Sequence, residues 1–169
     1  NSIILNSVNN TETRTNMPFQ DFSSIIRTEK LTNFLNEFIQ DKINMTYIYG
    51  YKLSGKSKSV MAYLYDLISK NIYENILFLD IKEENQCEKI FDTISMFAKI
   101  EANNLNYELK QRLCLNYLKS TKSLICIDMS EYKLQKETIE LLKIISADTK
   151  VIIISSVPFE RYEEELRNE

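Results

Sequence analysis

Residues 50–57 read GYKLSGKS, and Gly50 and Gly55 are the only two glycines in a chain of 169 residues. The spacing G-x-x-x-x-G-K-S suits one chemistry, the binding of phosphate. Such a loop turns its backbone N–H groups inward around an anion. Gly50 lets the chain leave a strand sharply, and Gly55 lets the backbone approach the phosphate closely. A helix beginning at the second glycine presents its free N–H groups and positive dipole to the same anion. In this reading Lys56 reaches the β- and γ-phosphates and the Ser57 hydroxyl ligates Mg²⁺. Tyr51, Lys52, Leu53, Ser54 and Lys58 complete the phosphate-binding set. Many loops of this kind carry another glycine before the last one. Here Lys52, Leu53 and Ser54 fill those slots, and a positive φ at Leu53 would cost of order 1 kcal/mol or more.

A phosphate-bound Mg²⁺ needs a carboxylate from a second strand. Asp128 closes the apolar run Leu124-Ile125-Cys126-Ile127 and is the preferred partner, while Asp80 ends an earlier apolar run and competes with it. The loop resembles that of P-loop proteins, in whose ATPase branch an intervening strand and helices normally separate the two motifs, and that resemblance favours Asp128. Lys56 and Asp128 are therefore the residues expected to carry any catalysis. The chain contains no histidine, which excludes Ser-His-Asp triads, Cys-His dyads and histidine metal sites. Cys87, Cys114 and Cys126 are too far apart for a CxxC zinc site and odd in number, so they read as small buried residues of a reducing, cytoplasmic protein. A net charge of −3 and a charged fraction of 27% point to neither a nucleic-acid binder nor a membrane-surface binder.

Positioning these residues takes alternating strands and helices. The runs 45–49 (MTYIY), 76–81 (ILFLDI), 123–128 (SLICID) and 151–156 (VIIISS) predict strands. Helical spacing of apolar residues predicts helices around 31–39, 60–68, 90–98, 105–118 and 134–145, and a short charged one at 160–169. Because the strands are continuous apolar runs, they predict a mainly parallel sheet covered on both faces, a three-layer α/β sandwich. Residues 1–18, polar and rich in Asn and Thr, read as a flexible lead-in in which Ile3-Ile4-Leu5 could dock. Residues 19–169 read as one domain. The start of the chain lacks the basic and long apolar regions of a signal peptide. It begins with Asn, as a piece of a longer protein would.

The loop and the elements around it resemble P-loop NTPases, and within them the signal-transduction ATPases with numerous domains (the STAND group) and their NB-ARC relatives, kin of the AAA ATPases. The resemblance runs over about residues 22–158. It implies the P-loop NTPase fold, ATP or ADP with Mg²⁺ as ligand, and Asp128 as the metal-binding acid of the second motif. Arg27-Thr28-Glu29-Lys30-Leu31 stands where the family has a G-R-E-like element, with Ile26 in the glycine's place, which would set Arg27 near the adenine. The second acid that follows the first in the family is Met129 here, with Glu131 two residues further on. Ser155-Ser156-Val157 keeps the hydroxyls of the family's sensor strand, making Ser155 a candidate contact, and lacks its arginine. Those losses imply slow turnover, since phosphoryl transfer depends on positioning and charge stabilisation. The expectation is a nucleotide-dependent switch domain of a signalling or scaffold protein, with weak hydrolysis at best and with protein partners or self-association through the parent protein. Two alternatives stay open. One is a small nucleotide or metabolite kinase, for which Arg112 is the one tempting arginine. The other is an interaction module with a vestigial loop.

Overall fold

The structure is a computed structural model that describes residues 12–18, 20, 28–51, 54–82, 85–101 and 106–158. The described elements are β1 (Arg14–Thr15), α1 (Glu29–Gln40), β2 (Met45–Tyr49), α2 (Lys56–Ser69), β3 (Asn75–Asp80), α3 (Gln86–Phe97), α4 (Tyr107–Ser120), β4 (Ser123–Ser130), α5 (Lys136–Ile145) and β5 (Lys150–Ser155). The charged segment 160–169 and Ile3-Ile4-Leu5 lie outside the described residues. Among the described residues no helix is long and apolar enough to cross a membrane.

The strands form one five-stranded sheet in the order β1-β3-β4-β5-β2, and every pairing is parallel. The continuous apolar strands are explained by what covers them. Leu77, Leu79, Ile125, Ile127, Val151 and Ile153 point into one core shared with α3, α4 and α5. The intervening Ile76, Leu124, Cys126, Ile152 and Ile154 point into a second core shared with α1 and α2. Side chains alternate faces along a strand, so a sheet buried on both faces demands apolar residues at both parities. The result is the three-layer α/β sandwich expected from the sequence.

Two helices start on side-chain caps. Thr28 accepts from the Leu31 N–H at the head of α1, and Asn106 accepts from the Leu109 N–H at the head of α4. The tail of α1 is closed by a residue distant in sequence. The buried Lys150 ammonium donates to the carbonyls of Phe38, Asp41 and Ile43 at 2.8, 2.6 and 2.7 Å, tying the last turn of α1 and the chain just beyond it to β5. Burial pushes its pKa below the usual 10.5, with the Asp41 charge opposing that shift.

The stretch read as a lead-in contributes structure of its own. Arg14 and Thr15 pair with Asn75 and Ile76, adding an edge strand beside β3. The Asn16 side chain continues the pairing by donating to the Phe78 carbonyl and accepting from its N–H, at 2.9 and 2.7 Å. Of the three cysteines, Cys114 and Cys126 are buried as expected, whereas Cys87 is half-buried with its sulfur 3.7 Å from the Thr138 hydroxyl.

Candidate functional site

The connection leaving β2 passes through α2 on one face of the sheet, whereas those leaving β3 and β4 pass through α3, α4 and α5 on the other. Connections that part to opposite faces open a crevice at the carboxyl ends of the strands. Gly50 and Tyr51, which follow β2, and Ser54 and Gly55, which precede α2, lie at that edge. The Gly50 N–H donates to the Ser155 carbonyl at 3.2 Å, so the loop leaves β2 still tied to β5. The Ser54 N–H donates to the Tyr51 carbonyl at 3.1 Å.

The two glycines have different physical reasons in the structure. Gly55 is the N-cap of α2 and has left-handed backbone, φ +80°, a conformation that strains other residues. A Cβ there would meet nothing within 4 Å, so the space above it is open. Gly50 lies outside the left-handed region, but a Cβ on it would come 3.1 Å from both Lys56 Cδ and Ser54 Oγ. Gly55 thus serves the turn, and Gly50 makes room for the lysine that folds back over it.

Lys56 is the centre of the arrangement. Its Nζ donates to the Tyr51 carbonyl at 3.0 Å and to the Ser156 hydroxyl at 3.1 Å, spanning the loop from its first turn to the end of β5. The first helical bond of α2 runs from the Ser59 N–H to the Gly55 carbonyl. The backbone N–H groups of Gly55, Lys56, Ser57 and Lys58 therefore have no intrahelical acceptor, and Gly55 has no side chain with which to cap them. Ser57 is half-buried, while Ser54 and Lys58 are exposed, as is Tyr51. Lys52, Leu53 and Arg27 lie outside the described residues, so the strain expected at Leu53 and the adenine contact expected of Arg27 have no counterpart among them.

Asp128 is 7% exposed and sits within β4 rather than at its end, because the strand continues through a bulge to Ser130. Its parity is that of Leu124 and Cys126, so it faces the layer of α2, the helix that carries Lys56. The neighbouring Cys126 thiol is pushed well above 9.0, first by burial and then by the Asp128 charge. Ser130, at φ 50°, turns back on the acid: its N–H donates to Asp128 Oδ1 at 2.9 Å, with the hydroxyl 3.4 Å from the same oxygen. The Ser130 carbonyl in turn accepts from the Ser156 N–H at 2.6 Å. A continuous polar path therefore runs from Lys56 through Ser156 and Ser130 to Asp128.

The two serines at the end of β5 take different places. Ser155 was the expected hydroxyl contact, but it shares the parity of Val151 and Ile153, is fully buried, and its Oγ accepts from the Val157 N–H at 3.0 Å. Its contribution is the backbone carbonyl that holds Gly50. The hydroxyl that reaches Lys56 belongs to Ser156, one residue on, and the cue in the sequence was the Ser-Ser pair itself. Arg112 does not join the site. It lies on α4, in the layer opposite α2, with its guanidinium exposed and 3.9 Å from Glu108 one turn away.

Among the described residues no group of three or more His, Cys, Asp or Glu side chains is arranged to hold a metal by itself. Mg²⁺ held against phosphates needs only one or two protein carboxylates and keeps several waters. Asp128, buried on the sheet face of α2, and the half-buried Ser57 near the head of α2 are of the donor types such a cation takes. No protein-family model matches the chain, and a search of curated proteins finds no match either.

Proposed function

We propose that this chain is a P-loop domain that binds ATP or ADP with Mg²⁺, its bound state acting as a switch within a signalling or scaffold protein of the STAND type. The observation that carries the reading is Lys56: its ammonium lies across the mouth of the loop, between the head of α2 and the end of β5, on the sheet face that Asp128 shares. The strand between the loop strand β2 and the Asp128 strand β4 is β5, a separation in keeping with the ATPase branch. The open space above Gly55 and the uncapped N–H groups of α2 suit an anion. Phosphates would draw the Lys56 ammonium away from Tyr51 and Ser156. The Ser57 hydroxyl and the Asp128 carboxylate would hold the cation, which when bound supplies neutralisation of phosphate charge. Turnover is slow in this reading, because Met129 follows Asp128 and Val157 follows the sensor serines. Protein partners, or self-association through the parent protein, then read the bound state.

The test is a thermal-shift titration of the wild-type chain and Lys56→Ala with Mg·ATP and Mg·ADP. A ligand at 100 times its Kd adds about 2.7 kcal/mol, roughly 5–10 °C for a domain of this size. The wild type should show that shift, and Lys56→Ala should lose most of it. An equal shift in both proteins, or none in the wild type, would refute nucleotide binding at this loop and leave a vestigial one.

A further inference from the structure

Asp80 competes with Asp128 in the sequence, and the nucleotide reading leaves it without a role. The fold brings the two together. Asp80 and Asp128 are register partners on the adjacent strands β3 and β4, which lie about 4.8 Å apart. The ladder is intact beside them, with the Ile81 N–H on the Asp128 carbonyl at 2.9 Å. Partners in a parallel register share a face, and Asp80 has the parity of Ile76 and Phe78, which pack with α1 and α2. Both acids therefore face the layer that carries Lys56.

Their surroundings differ. Asp128 is buried and held by Ser130, a fixed carboxylate. Asp80 is about half exposed, and its Oδ2 touches Lys82, itself two-thirds exposed, at 3.3 Å. An exposed pair of this kind is weak and yields readily. Asp80 also borders a cleft of about 470 Å³ on the α3 side of the sheet, lined further by Ile81, Lys82, Asn85, Glu88, Lys89 and Asp92, and its own exposure leaves the carboxylate open to water. Glu131 is a poorer candidate, because Ser130's left-handed backbone and the bulge turn the chain off the strand before it.

We propose that Asp80 is the water-orienting acid of this site, supplied from the neighbouring strand in place of the acid missing after Asp128. The inference rests on the nucleotide reading above. In the reaction a water oxygen bonds to the γ-phosphorus of the nucleoside triphosphate. The bond from that phosphorus to the bridging oxygen breaks, and the oxygen leaves with the diphosphate. The water proton passes to the Asp80 carboxylate and from there to solvent.

The experiment compares the wild-type chain with Asp80→Asn and Asp80→Glu, measuring Mg·ATP affinity by titration and single-turnover hydrolysis of labelled ATP. Asp80→Asn should bind within about threefold of wild type and hydrolyse about 100-fold more slowly, the size of a general-base effect. Asp80→Glu should recover at least about tenfold of that loss. The inference is overturned if Asp80→Asn hydrolyses at the wild-type rate, if it needs markedly more Mg²⁺ to bind (a cation ligand), if Asp80→Glu recovers nothing, or if the wild type binds ATP without hydrolysing it. A wild type that does not bind ATP overturns the nucleotide reading and this inference with it.

Discussion

The two glycines of the loop give a prediction with opposite signatures. Gly55 sits at φ +80° with nothing within 4 Å of the position a Cβ would take. Gly55→Ala therefore adds no clash, only the cost of a left-handed alanine, about 1–2 kcal/mol. Because Gly55 is an N-cap and outside the helix proper, alanine gains no helix propensity to offset it. For a domain of this size that is a fall in Tm of roughly 2–8 °C. Gly50→Ala meets no such backbone penalty. Its Cβ would press at 3.1 Å on Lys56 Cδ and Ser54 Oγ, both parts of side chains that can move by a few tenths of an ångström. Stability should change little, but the added methyl would crowd the Lys56 stem along which the ammonium is carried towards a ligand. In the proposed reading, losing one charge-assisted hydrogen bond from Lys56 to phosphate costs about 1.5–3 kcal/mol, so phosphate affinity should fall by roughly tenfold or more. Thermal unfolding and Mg·ADP titration of the two variants read both effects. The reasoning fails if Gly50→Ala is the less stable of the pair, or if Gly55→Ala melts at or above the wild-type temperature.

Two further predictions concern the frame. Lys150→Met removes the ammonium that lies over the Phe38 ring and its three hydrogen bonds to carbonyls at and just beyond the tail of α1; a loss of about 2–3 kcal/mol should appear in denaturant melts, while the exposed Lys143→Met should stay within about 0.5 kcal/mol of wild type. Burial, with the neighbouring Tyr73, pushes the Tyr63 hydroxyl up from 10.0 to about 12, and its OH donates to Asn36 at 2.8 Å. The folded state then holds a proton that the unfolded chain gives up near pH 10, so this contribution is intact below pH 10 and lost as pH rises towards 12. Unfolding midpoints measured from pH 9 to 12 should fall less steeply in Tyr63→Phe than in wild type.

What the sequence revealed follows from which forces are local. The four long strands were legible because both sheet faces are buried, so Leu77 and Ile76, or Ile153 and Ile152, are apolar alike. The same property hid parity. In a run apolar at every position, nothing tells which face each residue takes, and one step separates Ser155, turned into the α3–α5 layer, from Ser156 on Lys56. The strand β1 left no trace in the pattern because its two residues, Arg14 and Thr15, are polar and owe their pairing to an open edge of β3 and to Asn16. Lys150 stands just before the run that predicts the last strand. Its role depends on carbonyls more than 100 residues away.

The adjacency of Asp80 and Asp128 bears most on how the site is to be understood. Read along the chain, the acid after Asp128 is lost, and hydrolysis should be lost with it. Read across the sheet, a second acid stands beside the first. A parallel sheet brings carboxyl ends of different strands to one edge, so a chemical role can be filled from the neighbouring strand without any trace in the local motif. The two acids are not equivalent, since burial and Ser130 fix Asp128 while Asp80 stands exposed at the solvent edge. A fixed carboxylate suits a cation, which needs constant geometry. An exposed one suits water, which in the proposed reading is engaged only when phosphate has displaced the Lys56 ammonium from Ser156. In the proposed reading, binding would therefore precede and control hydrolysis, and substitutions at Lys56 and Asp80 should separate: the first lowers affinity and rate together, the second lowers rate alone.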